Sequence, residues 1–129
     1  MTDGGGHTFY ISIGSNVEHA DRRVNDAIRM LCDTFDSAAH SSIYTTKPLG
    51  GKNVADYTNA VVRGISPLDF EELNPRLKEY ERKCGRTPEK SKRGEIEIDL
   101  DIVVADGEIL RKRDFDAIHF QKGYREMNP

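Results

Sequence analysis

The segment 94–104 alternates aliphatic and acidic residues with a period of two, and this pattern constrains the fold more than any other in the chain. Alternate side chains of a β-strand point to opposite faces of the sheet. The aliphatic residues therefore predict one buried face, made of Ile96, Ile98, Leu100, Ile102 and Val104. The acidic residues predict a second face, made of Glu97, Asp99 and Asp101.

Asp99 and Asp101 lie two positions apart on the acidic face, roughly 7 Å from each other at about 3.3 Å of rise per residue. Carboxylates at that distance repel each other unless a cation lies between them. Mg²⁺ is the usual hard cation for such oxygens, and a Mg²⁺ site with few carboxylates is normally completed by phosphate. The spacing fits a metal site and a solvated acidic face of an amphipathic strand equally well, so both interpretations stay open.

Length and charge limit the remaining possibilities. A chain of 129 residues suits one domain, which we place at residues 8–129 behind a flexible lead at residues 1–7. The net charge of −3 favours neither a nucleic-acid nor a membrane partner, and the sequence contains no apolar run of transmembrane length. The N-terminus lacks the basic and apolar regions of a signal peptide. We therefore expect a cytoplasmic protein, as a monomer or weak dimer.

Hydrophobic periodicity along the chain predicts the order β-α-β-β-α-β. Four strands are expected at 8–13, 38–46, 57–65 and 96–104, and two helices at 18–33 and from Ser66 to about residue 84. Pro75 is expected to kink or break the second helix. Residues 111–129 show little periodicity. The order predicts an α+β, ferredoxin-like fold with a four-stranded antiparallel sheet, two helices on one face and long loops over the other.

A basic stretch runs directly into the acidic strand. Between residues 82 and 93 one acid, Glu89, accompanies six cations: Arg82, Lys83, Arg86, Lys90, Lys92 and Arg93. Cations beside paired carboxylates suit a site for phosphate and metal together. A solvated basic loop is the simpler explanation for any one of these residues, and the adjacency is what favours the site.

Two further pairs are candidates for ligand contacts. Tyr57 and Asn59 share one face of the third strand, where a ring and an amide can stack on and hydrogen-bond a flat heterocycle. A half-buried tyrosine with an asparagine partner is the simpler explanation from these residues alone. His119 and Arg125 can reach a phosphate from the C-terminal segment, although a lone histidine near a terminus is more often a surface residue.

Four short stretches, in this order and spacing, resemble the 6-hydroxymethyl-7,8-dihydropterin pyrophosphokinase family of folate synthesis. They cover Ile13-Gly14-Ser15-Asn16, residues 44–50, Asp56-Tyr57-Thr58-Asn59-Ala60 and Ile98-Asp99-Leu100-Asp101-Ile102. The resemblance implies transfer of a diphosphate from ATP to the hydroxymethyl group of a pterin, with release of AMP and with two Mg²⁺ ions. ATP and a pterin are thus the expected small-molecule partners.

The same resemblance assigns roles to individual residues. Asp99 and Asp101 would bind the metal, and Asp101 would lie nearest the attacking hydroxyl. The pterin would be bound by Thr46, Pro48, Leu49, Tyr57 and Asn59. The nucleotide and its phosphates would be contacted by Glu81, Arg86, Ile102, His119 and Arg125, with Arg86, His119 and Arg125 joining Asp101 as catalytic residues.

Several positions depart from the family pattern. Ile96 stands where the signature arginine is expected, and loss of one charge-stabilising donor commonly costs on the order of 10²–10³ in rate. Arg93 and Met127 replace expected aromatics, and Pro88 replaces an expected cation. Asp114 and Asp116 stand where basic or hydroxylic residues are expected, and the segment after Arg125 is shorter than in typical members. These departures leave two alternatives: an impaired relative that binds a pterin or nucleotide, and a ferredoxin-like interaction domain.

Overall fold

The computed structural model describes residues 6–48 and 55–129, and this part of the chain forms six strands and five helices. The strands are β1 (His7–Ser15), β2 (Ser37–His40), β3 (Tyr44–Thr46), β4 (Tyr57–Ser66), β5 (Asp99–Ala105) and β6 (Glu108–Ile109). The helices are α1 (Ala20–Thr34), α2 (Phe70–Lys83), α3 (Pro88–Lys92), α4 (Lys112–Asp116) and α5 (Ile118–Met127). Leu49 and most of the predicted N-terminal lead lie outside the described residues. None of these helices is both long and apolar enough to cross a bilayer.

The strands form an open antiparallel sheet in the order β2-β4-β1-β5-β6, and β3 also pairs with β4. The predicted α+β class is therefore confirmed, whereas the predicted count of four strands is wrong. The segment expected to be one strand at 38–46 divides into β2 and β3. At the division, the Ser41 hydroxyl accepts a hydrogen bond from the Val61 amide at 2.9 Å, in place of a strand carbonyl.

Helices α1 and α2 pack on one face of the sheet. The predicted stripe of α1 is buried, with Val24, Ala27 and Leu31 fully inaccessible. It meets Leu73 and Leu77 of α2 and the aliphatic face of β5 in one hydrophobic cluster. Burial of this apolar surface is the main stabilising term for the domain, at about 25 cal/mol per Å².

Helix α2 begins later than the sequence suggests and continues through its proline. Asp69, not Ser66, is the N-cap, and it forms a capping box with Glu72. Pro75 lies inside the continuous helix. Of the two predicted effects, the break is therefore wrong, whereas the kink stays a prediction. The carbonyl that proline leaves without a donor belongs to Glu71, an exposed residue, so water can satisfy it.

Helix α5 covers part of the opposite face, which the sequence prediction leaves to loops. Phe120 is fully buried against Val61, Val103 and Val104. The helix approaches the sheet closely because of Gly123, where a Cβ would lie 2.7 Å from Val61 Cγ2. The predicted arrangement of helices on a single face is therefore wrong for the C-terminal segment.

A bulge in β5 changes which side chains share a face. Ile102 pairs with Ile11 and Val104 with Tyr10, so Val103 is an extra residue in the ladder. Ile102 consequently faces α1 and α2, whereas Val104 packs under α5. The prediction that Val104 shares the helix-covered face is wrong for this reason. The prediction for Ile96 is also wrong, since it precedes β5 and lines a cavity instead.

Candidate active site

A cavity of about 320 Å³ opens over the face of the sheet opposite α1 and α2. Its walls come from β1, β3, β4, β5 and the segments around α3, α4 and α5. The side chains that matter for its chemistry include Thr46, Tyr57, Asn59, Asp99, Asp114 and His119. Six of the predicted ligand residues from distant parts of the sequence therefore line one space: Thr46, Pro48, Tyr57, Asn59, Asp99 and His119. Asp101 and Arg86 are not among the described residues that line it; they lie next to Asp99.

Asp99 and Asp101 emerge from β5 with their carboxyl groups close enough for one to hydrogen-bond the other when it carries a proton. Burial, followed by the negative charge of Asp99, raises the pKa of Asp101 to about 7. Burial also acts on Asp99, but hydrogen bonds from Asp101 and Arg86 outweigh it and lower the pKa of Asp99. The two acids thus hold one proton between them at mildly acidic pH, and this proton is lost as the pH rises through about 7.

Three cations surround this acid pair. Arg86 Nη1 lies 2.7 Å from Asp99 Oδ1, Lys78 Nζ lies 3.3 Å from Asp101 Oδ1, and Arg111 Nη2 lies 4.0 Å from Asp101 Oδ2. The sequence predicted Arg86 but missed Lys78 and Arg111. The only sequence signal for Lys78 is its position next to the buried stripe of α2, which is weak. No pattern in the sequence points to Arg111.

Glu81 lies beneath the acid pair and is 5% exposed. Its carboxylate accepts hydrogen bonds from Leu100 N at 2.7 Å and from Lys78 Nζ at 3.2 Å, and Arg86 Nη1 lies 3.3 Å away. Glu81 therefore fixes the positions of Lys78 and Arg86 relative to the backbone of β5. Ile102, another predicted nucleotide contact, points its side chain into the core and leaves only its backbone for a ligand.

The other end of the cavity is built around Asn59, which is 2% exposed. Its Nδ2 donates to Thr46 Oγ1 at 2.8 Å and to the Tyr57 carbonyl at 3.2 Å. Tyr57 lies beside it, and burial, followed by the charge of Asp99, raises the pKa of its hydroxyl. Pro48 lines the same cavity. An amide, an aromatic ring and a hydroxyl at one end of the cavity suit a flat polar heterocycle.

His119 and Arg125, the two predicted phosphate contacts of the C-terminal segment, lie in different places. His119 lines the cavity and places Nε2 3.2 Å from Asp114 Oδ1. Arg125 lies farther along α5 and donates to Gln121 Oε1 at 3.2 Å, and it is not among the described residues that line the cavity. The structure brings His119 to the site and leaves Arg125 at the surface.

Three cations of the predicted basic stretch, Arg82, Lys90 and Arg93, pair with acids other than Asp99 and Asp101. Arg82 pairs with Glu79 and Arg93 with Glu95, both on the surface. Glu97 likewise turns away from the pair, and its carboxylate lies 3.0 Å from Arg23 Nε of α1. The predicted three-acid face therefore reduces to two acids.

The donor set at this end fits a magnesium ion that arrives with phosphate. Among residues 6–48 and 55–129, no group of three or more histidine, cysteine or acidic side chains surrounds a common point. Two carboxylates, Asp99 and Asp101, are hard oxygen ligands but leave an octahedral ion incompletely coordinated, so phosphate and water must supply the rest. Arg86 and Lys78 each lie against one oxygen of the pair, so the ion would bind through the other oxygen of each carboxylate or displace these two cations.

Comparisons with known proteins identify the family of this chain. The family model of 7,8-dihydro-6-hydroxymethylpterin-pyrophosphokinase (HPPK) matches residues 10–121. The chain is 31% identical to 2-amino-4-hydroxy-6-hydroxymethyldihydropteridine pyrophosphokinase of Aquifex aeolicus over 106 residues. These residues are 82% of this chain and 66% of that protein. It is 30% identical to the protein of the same name from Haemophilus influenzae over 122 residues. These residues are 93% of this chain and 76% of that protein.

A further relative is the folate synthesis bifunctional protein of Arabidopsis thaliana, which is 33% identical over 94 residues. The aligned residues are 72% of this chain and 19% of that protein. The family match runs from β1 into α5 and so includes every strand of the sheet and the acid pair. The chain belongs to the 7,8-dihydro-6-hydroxymethylpterin-pyrophosphokinase family.

Proposed function

We propose that this protein transfers the β,γ-diphosphate of ATP to the hydroxymethyl group of 6-hydroxymethyl-7,8-dihydropterin. The hydroxyl oxygen attacks the β-phosphorus, the bond from that phosphorus to the oxygen bridging it to the α-phosphate breaks, and AMP leaves while the hydroxyl loses its proton. The observation that carries the proposal is the position of Asp99 in the same cavity as Asn59 and Tyr57. One cavity thus offers a heterocycle end and a phosphate end.

The heterocycle end would hold the pterin. Asn59 is fixed by Thr46 and by the backbone, so its amide is preorganised to recognise the polar edge of a ring. Tyr57 would stack on the ring face, with Pro48 beside it. Leu49 completes the predicted set but lies outside the described residues.

The phosphate end would hold ATP with Mg²⁺. Asp99 and Asp101 would bind the metal, which would neutralise charge on the triphosphate; two ions are the expectation from the family resemblance. Arg86 and His119 would contact phosphate oxygens, with Glu81 holding Arg86 in place and Ile102 contributing its backbone. Arg125 would have to move from its surface position to join them. Asp101 would accept the proton that the hydroxyl releases.

Catalysis of this kind depends mainly on positioning and charge stabilisation. The residues just described supply both without a covalent intermediate. The cytoplasmic location, the monomer or weak dimer, the absence of a nucleic-acid or membrane partner, and the division into residues 1–7 and 8–129 stay predictions from the sequence.

A second candidate function is binding of pterin and nucleotide with little turnover. Ile96 is 9% exposed and presents an aliphatic surface to the cavity where the resemblance expects an arginine. Lys78, Arg86 and Arg111 each already contact an acid of the site. An interaction domain without a ligand is disfavoured by the family match and by the built heterocycle end.

The test is AMP formation from ATP with 6-hydroxymethyl-7,8-dihydropterin and Mg²⁺. Transfer predicts AMP that depends on both the pterin and the metal, and its loss in Asp99→Asn. Glu108→Gln is the matched control, because it also removes one acid but from the exposed strand β6; its rate should equal that of the unaltered protein. Binding of both ligands with no AMP from any form would favour the second candidate.

A further inference from the structure

The short helix α4 directs an acid toward the region proposed to bind phosphate. Asp114 lines the same cavity as Asp99 and His119, and its side chain is only 18% exposed. A carboxylate in this position repels phosphate unless its charge is engaged elsewhere. Its contacts therefore decide what it does to a ligand.

Asp114 engages two groups that a phosphate would otherwise bind. Its Oδ2 lies 2.6 Å from Arg111 Nε, and its Oδ1 lies 3.2 Å from His119 Nε2. Arg111 also extends toward the acid pair, with Nη2 4.0 Å from Asp101 Oδ2. Carboxylate and phosphate oxygens both accept from guanidinium and imidazole, so they compete for the same donors.

We propose that Asp114 is an internal competitor for the phosphate groups of the substrate, holding Arg111 and His119 until a polyphosphate takes them over. This inference rests on the proposed function and adds a specificity determinant to it. Displacing the carboxylate costs the same for every ligand. A ligand with one phosphate gains least from the exchange and is excluded first, whereas a metal-bound triphosphate gains enough to displace it.

The competitor role differs from a structural one. Asp114 also lies three residues after Arg111, the N-cap residue of α4, so the ion pair stabilises this helix locally. A purely local role predicts that loss of the charge weakens α4 and leaves phosphate affinity unchanged or lower. Competition predicts the opposite direction, because the two donors become free for phosphate.

The experiment compares Asp114→Asn with Asp116→Asn by calorimetry, using Mg·ATP and inorganic tripolyphosphate as ligands. Both changes remove one negative charge from the same helix, but Asp116 is 57% exposed and pairs with Lys112. Asp114→Asn should bind each ligand at least about tenfold more tightly than the unaltered protein. Asp116→Asn should stay within about twofold, as expected for an exposed ion pair.

Unchanged or weaker binding by Asp114→Asn would overturn the proposal, and so would an equal gain in both variants, which indicates a general charge effect. AMP formation with the pterin, measured in parallel, separates this inference from the proposed function. Tighter tripolyphosphate binding without AMP would contradict diphosphate transfer and support the competitor. AMP formation without tighter binding would contradict the competitor alone.

Discussion

Replacing Asp101 by asparagine should stabilise the metal-free protein at alkaline pH while removing its activity. The cause is the environment of this carboxyl group, which is 15% exposed and close to Asp99. Burial and the neighbouring charge raise its pKa from 3.8 to about 7, so the folded protein disfavours the ionised form. An asparagine keeps the shape of the protonated acid and carries no such charge.

The magnitude follows from that pKa. At 1.36 kcal/mol per pKa unit, ionised Asp101 destabilises the folded state by up to about 4 kcal/mol. Because the proton belongs to the pair with Asp99, a measured gain of about 2–4 kcal/mol is expected at pH 8. Removing Asp101 leaves Lys78 with Glu81 and the Leu100 carbonyl as partners, so the substitution does not strand a buried cation.

The sign of the pH dependence is fixed by linkage. A carboxyl with a raised folded-state pKa favours the folded protein below pH 3.8, and this contribution is lost as the pH rises to about 7. Asp99 has a lowered pKa, so its ionised form stabilises the folded protein. This stabilisation is lost only as the pH falls below the usual pKa range of an aspartate. The free energy of unfolding of Asp101→Asn should therefore match the unaltered protein near pH 4 and exceed it increasingly up to pH 8.

The assay is urea unfolding at a series of pH values with a metal chelator present. Taking the difference between the two proteins cancels the titrating groups that do not interact with Asp101, so what remains is the titration of the Asp99–Asp101 pair. A difference that does not change with pH, or a variant less stable at pH 8, would refute the assignment of a strained acid pair.

Three further predictions test other parts of the account. Ile96→Arg should raise the rate of AMP formation at least about tenfold, because it restores a cation facing the cavity; an unchanged rate in a steady-state assay would contradict this. Asn59→Ala should abolish pterin binding by calorimetry and lower the free energy of unfolding by about 1–3 kcal/mol, through loss of the bond to Thr46; retained pterin affinity would contradict the heterocycle end. Gly123→Ala should destabilise the fold by about 1–3 kcal/mol in urea, since its Cβ would clash with Val61; a gain, as alanine gives in an unpacked helix, would contradict the packing of α5.

Local patterns predicted the parts of the fold that local forces determine. The stripe of α1 and the alternation around Leu100 led directly to the helix-covered core, because each element buries one regular face. The bulge at Val103 has no such signature. It depends on how β5 fits β1, and it moved Val104 to the other face.

The helix α5 was missed although its buried and half-buried positions have helical spacing. Phe120, Gly123, Tyr124 and Met127 follow the i, i+3, i+4, i+7 pattern, but a glycine contributes nothing to an apolar stripe. Its role appears only when Val61 is placed against it. A glycine at an expected core position is therefore a signal for close packing that hydrophobic periodicity omits.

The site divides in the same way. Asp99, Tyr57 and Asn59, predicted because strand geometry fixes which residues share a face, line one cavity. The cations at the acid pair were mostly missed, since Lys78 and Arg111 reach Asp101 through tertiary packing. The basic stretch was a poor guide, because Arg82 and Arg93 have nearby acids as partners.

The most direct test of the central claim follows the phosphate itself. ATP labelled in its γ-phosphate is mixed with the protein, Mg²⁺ and 6-hydroxymethyl-7,8-dihydropterin, and the products are separated. Diphosphate transfer predicts that the label moves to the pterin in an amount equal to the AMP formed. Label found in inorganic phosphate, or ADP formed in place of AMP, would contradict the account.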